Sequence, residues 1–221
     1  MWIPQISALE SEFHALAIDL PGHGRIIDKP FTLDSAVKEV AQCIELETTG
    51  KAIIVGLSLG GYVAIAHANK HPEQISGLIL SGCCVQYLGL MGLTAKLNAV
   101  LSKIVSQRHF ETRQKEMLRK VTSSNIVDEI CKKNISLKGS RESMEEVIGK
   151  NFVQMLKSCD VPVFLVNGEN DTFNRKYESK LLVGAGNVSL EIIKDSGHLC
   201  SLENPVVFSN LVRDFANGIH A

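Results

Sequence analysis

The chain has 221 residues, 45% hydrophobic and 21% charged, and its 23 basic and 24 acidic side chains leave a formal charge of −1. That length buries a good core within one domain, and that balance gives no electrostatic reason to expect nucleic acid or an anionic membrane as a partner. The six cysteines, at 43, 83, 84, 131, 159 and 200, form no C-x-x-C pair and are too sparse for a disulfide scaffold, so they read as reduced thiols of a cytoplasmic protein. Met1-Trp-Ile-Pro-Gln has no basic or long apolar character, and the most apolar later stretch, 85–105, is interrupted by Lys96 and Lys103. Neither a signal peptide nor a membrane span is expected.

Residues 2–10 predict a short helix after Pro4 with Ile6 and Leu9 inward, and residues 13–19 predict a strand. Leu20-Pro-Gly-His-Gly24 is a turn cluster, and the loop runs on through Pro30. Asp34 is placed to cap a helix whose Val37, Val40, Ala41 and Ile44 fall at i, i+3, i+4 and i+7. A strand at 53–55 then meets a sharp turn and a helix from Leu59 until Pro72 forbids another turn. Further strands are expected at 75–80, 161–166 and 188–193, and Asn204-Pro205 opens a last helix buried through Phe208, Leu211, Val212 and Phe215. Strands alternating with helices predict an α/β fold with a mostly parallel sheet flanked by helices.

The exception is a strandless span at about 84–158. Leu93, Leu97, Val100, Leu101 and Ile104 make one helical stripe, 110–120 a charged helix, 123–133 another helix, and Ser143–Glu146 a capping box for a helix carrying Val147, Ile148, Met155 and Leu156. The chain is therefore expected to be a single domain, 1–221, with a helical cap or lid inserted at about 84–158. A lid there would sit over the carboxyl ends of the strands, where open α/β sheets bind ligands. Its Met91, Leu93, Leu97, Met117 and Met144 hint at an apolar acyl or ring group in a small-molecule substrate.

Gly56-Leu-Ser58-Leu-Gly60 between strand and helix is a nucleophile elbow. The serine takes a strained conformation, so the residues two positions away on either side are expected to need the space a missing side chain leaves. The helix N-terminus behind the hydroxyl favours developing negative charge. A serine needs a base, and the base needs a carboxylate to fix its tautomer. His198, after a strand and a glycine, is the strongest base candidate, with His23 in its glycine-rich loop the rival. Asp171 in Asn167-Gly-Glu-Asn-Asp171 is the favoured carboxylate, with Glu169 or Asn170 as alternatives. His67 and His71 lack a general base between them and a third ligand, and Gly22-His-Gly24 lacks a further glycine and a following helix, so neither a metal site nor a phosphate loop is expected.

These pieces together resemble the α/β-hydrolase superfamily, in its lid-bearing esterase, lipase and carbon–carbon hydrolase-like branch. The resemblance rests on Trp2–Leu9 with Ala17-Ile-Asp-Leu-Pro-Gly-His-Gly24, the elbow around Ser58, Asn-Gly-Glu-Asn-Asp171, and Ser-Gly-His198-Leu-Cys-Ser-Leu-Glu-Asn-Pro205. It implies a nucleophile Ser58, a base His198, an orienting acid Asp171, an oxyanion donor at the Leu59 N–H and no cofactor. The implied activity is hydrolysis of small to medium carboxylic esters through an acyl-enzyme. A carbon–carbon bond hydrolase and a catalytically silent ligand-binding or partner-binding protein are the alternatives. The family's strands upstream of Trp2, one of which carries the second oxyanion donor, have no counterpart in the sequence. The resemblance therefore implies a slot between the strand at 13–19 and the elbow strand. Either those two strands pair directly, another chain fills the slot, or the sequence is a shortened form of a longer protein; open strand edges would also favour a homo-oligomer.

Overall fold

The computed structural model describes residues 1–132, 135–184 and 186–220. In chain order its elements are α1 (Ile3–Leu9), α2 (Leu33–Glu47), β1 (Ala52–Leu57), α3 (Leu59–Lys70), β2 (Ile75–Ser81), α4 (Gly89–Leu101), α5 (Gln107–Arg119), α6 (Ser124–Cys131), α7 (Leu137–Val147) and α8 (Phe152–Leu156). There follow β3 (Val163–Gly168), α9 (Thr172–Arg175), α10 (Glu178–Gly184), β4 (Val188–Ile193), α11 (Cys200–Glu203) and α12 (Pro205–His220). The chain forms two compact bodies. The larger comprises Trp2–Ala17, Val40–Val85 and Phe152–Ala221, and the smaller comprises Ile18–Glu39 and Gln86–Asn151 together with Met1.

The larger body holds a parallel sheet in the order β1-β2-β3-β4. Val55, Ile79, Phe164 and Ser189 lie in one row across it. β2 is buried along nearly its whole length, as a strand covered on both faces must be. One face meets α12: a Cβ on Gly77 would come within 2.9 Å of Ile219 and Phe215, and Phe164 stacks on Phe215 at 5.5 Å. Leu9, Ile79, Val166, Ile193, Phe208 and Val212 form the core there. α3 packs on β1 and β2 and touches α8. Because every strand runs the same way, Leu57 and Ser81 end side by side, as do Gly168 and Ile193, and the loops that follow all leave from one edge.

The strand expected at 13–19 is not formed; β1 ladders to β2, and residues 14–20 belong to no strand or helix. The apolar residues of the segment are nonetheless in use: Phe13 and Ala15 pack on the core, while His14 and Leu16 face solvent. Direct pairing of this segment with the elbow strand is thereby ruled out. In α1, Leu9 is buried as expected, but Gln5 takes the other inward position, its amide donating to the Ser201 carbonyl at 2.8 Å, while Ile6 is only half-buried.

The smaller body gathers α4 to α7 with the loop that leads into α2. Phe31 and Leu33 donate their N–H groups to Glu142 and Glu146 of α7 at 2.8 and 2.9 Å. Thr32 and Ser35 cap α2 reciprocally, each hydroxyl accepting the other's N–H at 3.0 Å. Asp34 therefore lies inside the first turn instead of capping it; its charge still suits the helix N-terminus. Ser143 is also interior: α7 begins at Ser136, whose hydroxyl accepts the Gly139 N–H, and ends before Gly149. Lys133, the last residue of the helix expected at 123–133, falls outside the described residues. The stripe expected on α4 exists, but Leu93, Leu97, Val100, Leu101 and Ile104 are 55–89% exposed. Among the described residues no helix is long and apolar enough to cross a membrane.

Candidate active site

Ser58 sits between β1 and α3 with φ 53° and ψ −115°, a conformation that costs a non-glycine residue on the order of 1–3 kcal/mol. Its N–H donates to the Ser81 carbonyl at 2.7 Å, and its own carbonyl accepts the Gly61 N–H at 3.0 Å, so the strained turn is tied from both sides. The need for glycine is only partly where the motif puts it. A Cβ on Gly56 would lie 2.5 Å from the Gly60 carbonyl oxygen, but a Cβ on Gly60 would meet nothing within 4 Å. Gly61 is the tight position, 2.5 Å from the Cys83 sulfur. Leu59 opens α3, so its N–H is one of the first-turn donors that the helix itself cannot satisfy.

Asp171 caps α9 from the loop after β3, its Oδ1 accepting the Asn174 N–H at 3.3 Å. Its Oδ2 accepts two bonds, from His198 Nδ1 at 2.7 Å and from Asn174 Nδ2 at 2.9 Å. Burial pushes the Asp171 carboxyl up, but the bond and charge of His198 and the two Asn174 bonds outweigh it and hold it below its ordinary range. An ionised carboxylate can only accept, so Nδ1 of His198 carries the proton and Nε2 is left as the basic nitrogen. The His198 backbone is held by Glu203, whose two oxygens accept the N–H groups of Gly197 and Leu199 at 2.7 and 3.1 Å.

Ser58 and His198 share a neighbour. Gly82 has φ +59°, and a Cβ there would lie 2.7 Å from His198 Cε1, so the imidazole packs directly on the turn that follows β2. That turn is anchored below: Asn167, 1% exposed, accepts the Gly82 N–H at 2.8 Å and donates to Glu178 at 2.9 Å, and Glu178 in turn holds Arg175 at 2.9 Å. Asn174 Oδ1 accepts the Cys84 N–H at 3.0 Å. Residues 81–84 thus touch the elbow, the acid loop and the histidine together. Asn174, Asn167, Glu178 and Glu203 went unassigned in the sequence, although Asn167 and Glu203 lie within the stretches around Asp171 and His198 that carry the resemblance.

The rival candidates are otherwise employed. Nδ1 of His23 donates to the Pro21 carbonyl at 2.9 Å and its ring meets Phe31 edge-on, so it braces its own loop. Glu169 accepts the Asp195 N–H at 3.1 Å, and the Asn170 N–H donates to the Ser196 carbonyl at 2.8 Å, both holding the turn before His198. Burial pushes the Cys84 thiol up to about 12 and that of Cys200 up to about 11, so both stay protonated at neutral pH. Among the described residues no cluster of three or more His, Cys, Asp or Glu side chains is arranged to hold a metal ion.

A family model described as Hydrolase_4, serine aminopeptidase S33, matches residues 8–204. The chain is 27% identical to a pimeloyl-[acyl-carrier protein] methyl ester esterase of Neisseria meningitidis, across 92% of this chain and 83% of that one. It is equally 27% identical to the carboxylesterase YbfK of Bacillus subtilis, across 99% of this chain and 76% of the other. In structure it overlays an esterase from Thermogutta terrifontis with a TM-score of 0.80 at 22% identity, covering 100% of this chain and 85% of that one, a likeness of fold.

Proposed function

The chain belongs to the Hydrolase_4 family of α/β-hydrolases, and on that premise we propose that it is a serine hydrolase cleaving small to medium carboxylic esters through an acyl-enzyme. The observation that carries this reading is the 2.7 Å bond from His198 Nδ1 to the buried Asp171, on the same edge of the sheet as the strained Ser58. Nε2 of His198 takes the Ser58 proton as Oγ attacks the ester carbonyl, and Asp171 stabilises the imidazolium that results. The Leu59 N–H, at the positive end of α3, receives the developing oxyanion. The imidazolium then gives its proton to the leaving alcohol, and water, activated by the same nitrogen, hydrolyses the acyl-enzyme and restores Ser58. The named activities of the esterases it resembles support an ester substrate. Six cysteines outside any disulfide support a reducing, cytoplasmic setting.

The test is Ser58→Ala. It should abolish turnover of short p-nitrophenyl esters and labelling by a fluorophosphonate probe while leaving the fold intact. Labelling that persists in the variant refutes the assignment of Ser58.

A further inference from the structure

Net charge hides a local asymmetry. Between Glu73 and Glu111 the sequence has no acidic residue at all, yet it carries Lys96, Lys103 and Arg108. Within this stretch lies a run of exposed large apolar side chains. Leu90 is 77% exposed, Leu93 64%, Leu97 59%, Val100 56%, Leu101 55% and Ile104 89%. At helical spacing these six residues fall on one stripe of α4 and the 3₁₀ turn Ser102–Ile104 that continues it. Soluble monomers rarely expose a contiguous apolar patch of more than a few hundred Å² without using it. Lys96 and Lys103, seven residues apart and both exposed, line one flank of the stripe.

The stripe is held in place from beneath. Arg141 of α7 donates to the Ser102 hydroxyl at 3.2 Å, and to the Ser102 and Val105 carbonyls, which satisfies carbonyls at the end of the helix. Gly149 donates to the Tyr87 carbonyl at 2.9 Å, fixing the other end. Between these anchors, Tyr87, Leu88, Leu93, Lys96 and Ile148 line a groove of about 410 Å³ that is mainly apolar, with the lysine at its side.

We infer that α4 and the turn after it are a docking surface for an anionic phospholipid bilayer. The leucine stripe enters the boundary between headgroups and acyl chains, with the helix lying in the plane of the surface. Lys96 and Lys103 keep their stems along the apolar layer and their ammonium groups among the lipid phosphates. The groove beside Leu93 offers space for part of one lipid chain. A second copy of this chain fits the stripe poorly. Two such surfaces facing each other would bring cations of both copies together with no carboxylate from the segment to pair them.

The experiment is co-sedimentation of the full chain with sucrose-loaded vesicles of equal parts phosphatidylcholine and phosphatidylglycerol, beside vesicles of phosphatidylcholine alone. Binding is expected to the mixed vesicles, weaker to the neutral ones and falling with added salt. Lys96→Gln and Lys103→Gln should each lower partitioning roughly fivefold. Leu90→Ser with Leu97→Ser, both at exposed positions that leave the core untouched, should lower it on the order of a hundredfold. Ser58→Ala should bind as the unaltered chain does, so failure of the esterase reading and failure of this one are separate results. No binding to the mixed vesicles overturns the inference, as does binding that the leucine variants retain. A dimer in solution that the leucine variants dissociate overturns it too, by showing that a second copy covers the stripe.

Discussion

Asn174 bears more on the candidate site than its place in the short helix α9 suggests, and substituting it separates two contributions. Its side chain is 4% exposed and makes two bonds of different kinds, Nδ2 to the Asp171 carboxylate and Oδ1 from the Cys84 N–H. Asn174→Ala removes both. The charge-assisted bond contributes about 1.5–3 kcal/mol, and an amide left buried without a partner costs about 1–3 kcal/mol. We expect a loss of about 3 kcal/mol in urea unfolding at neutral pH. Asn174→Asp keeps an acceptor for Cys84 but sets a second carboxylate 2.9 Å from the first. At an effective dielectric constant of about 20, two charges at that distance repel by about 6 kcal/mol, equivalent to about four pKa units. The pair would therefore hold one proton at neutral pH, as close carboxylates do. The two proteins should then respond to pH with opposite sign. In the unaltered chain Asp171 is held low, so its contribution is present above the unfolded carboxylate value of about 4 and disappears as pH falls through the lowered folded value. In Asn174→Asp the folded pair binds more protons than the unfolded chain, so stability should rise as pH is lowered from about 8 to 5. Esterase activity should fall in both variants, and further in Asn174→Asp, because a shared proton weakens the partner of His198 Nδ1. The reasoning is refuted if Asn174→Ala unfolds within about 0.5 kcal/mol of the unaltered chain, or if Asn174→Asp shows no dependence on pH across that window.

Two further predictions concern the elbow and the thiols. Gly60→Ala should be neutral or stabilise the fold by up to about 1 kcal/mol, since the new Cβ meets nothing within 4 Å and alanine is the better helix former. Gly61→Ala should destabilise, because its Cβ would overlap the Cys83 side chain at 2.5 Å; thermal denaturation of both variants tests the contrast, and equal effects would refute it. In the native protein a thiol reagent at mildly alkaline pH should modify Cys43 and Cys131, which are half-buried, and spare Cys83, Cys84, Cys159 and Cys200, which are buried and whose thiols burial pushes up. Mass spectrometry of the modified peptides reads the result, and early labelling of Cys84 or Cys200 would contradict it.

How much was legible in the sequence depended on whether the cause was local. β1 to β4 were readable because apolar, β-branched runs between turn signals need little context, and α3 and α12 because prolines mark their boundaries. The placement of Ser58, Asp171 and His198 as candidates was readable because each follows a strand, and a parallel sheet sends such positions to one edge. Residues 13–19 misled because an apolar segment shows which side chains can be buried, whereas a strand also needs a neighbour, and that is not a property of the segment itself. The cap positions at Asp34 and Ser143 misled for a related reason. Thr32, Ser35 and Ser136 offer the same hydroxyl chemistry within a few residues, and contacts from Glu142 and Glu146 select where α2 begins.

The least legible part is the one that joins the site together. Ser81-Gly-Cys-Cys84 carries no catalytic side chain and reads as the plain exit of a buried strand. Yet the Ser81 carbonyl ties down the Ser58 turn, Gly82 leaves room for the His198 ring, Cys83 closes on Gly61, and the Cys84 N–H reaches Asn174 beside Asp171. Each of these contacts is made through backbone or through the space left by a missing side chain, and neither leaves a pattern in residue types. Their partners, moreover, lie 20 or more residues away in sequence. The geometry also explains why Gly61 and Gly82 are constrained while Gly60 is not: what must be kept small is whatever faces this turn. If the four residues act as a common support, changes on its two sides should couple. Gly82→Ala, which crowds His198, and Asn174→Ala, which frees the Cys84 N–H, should then give a double variant whose loss in stability departs from the sum of the two by more than the roughly 0.5 kcal/mol expected of independent sites.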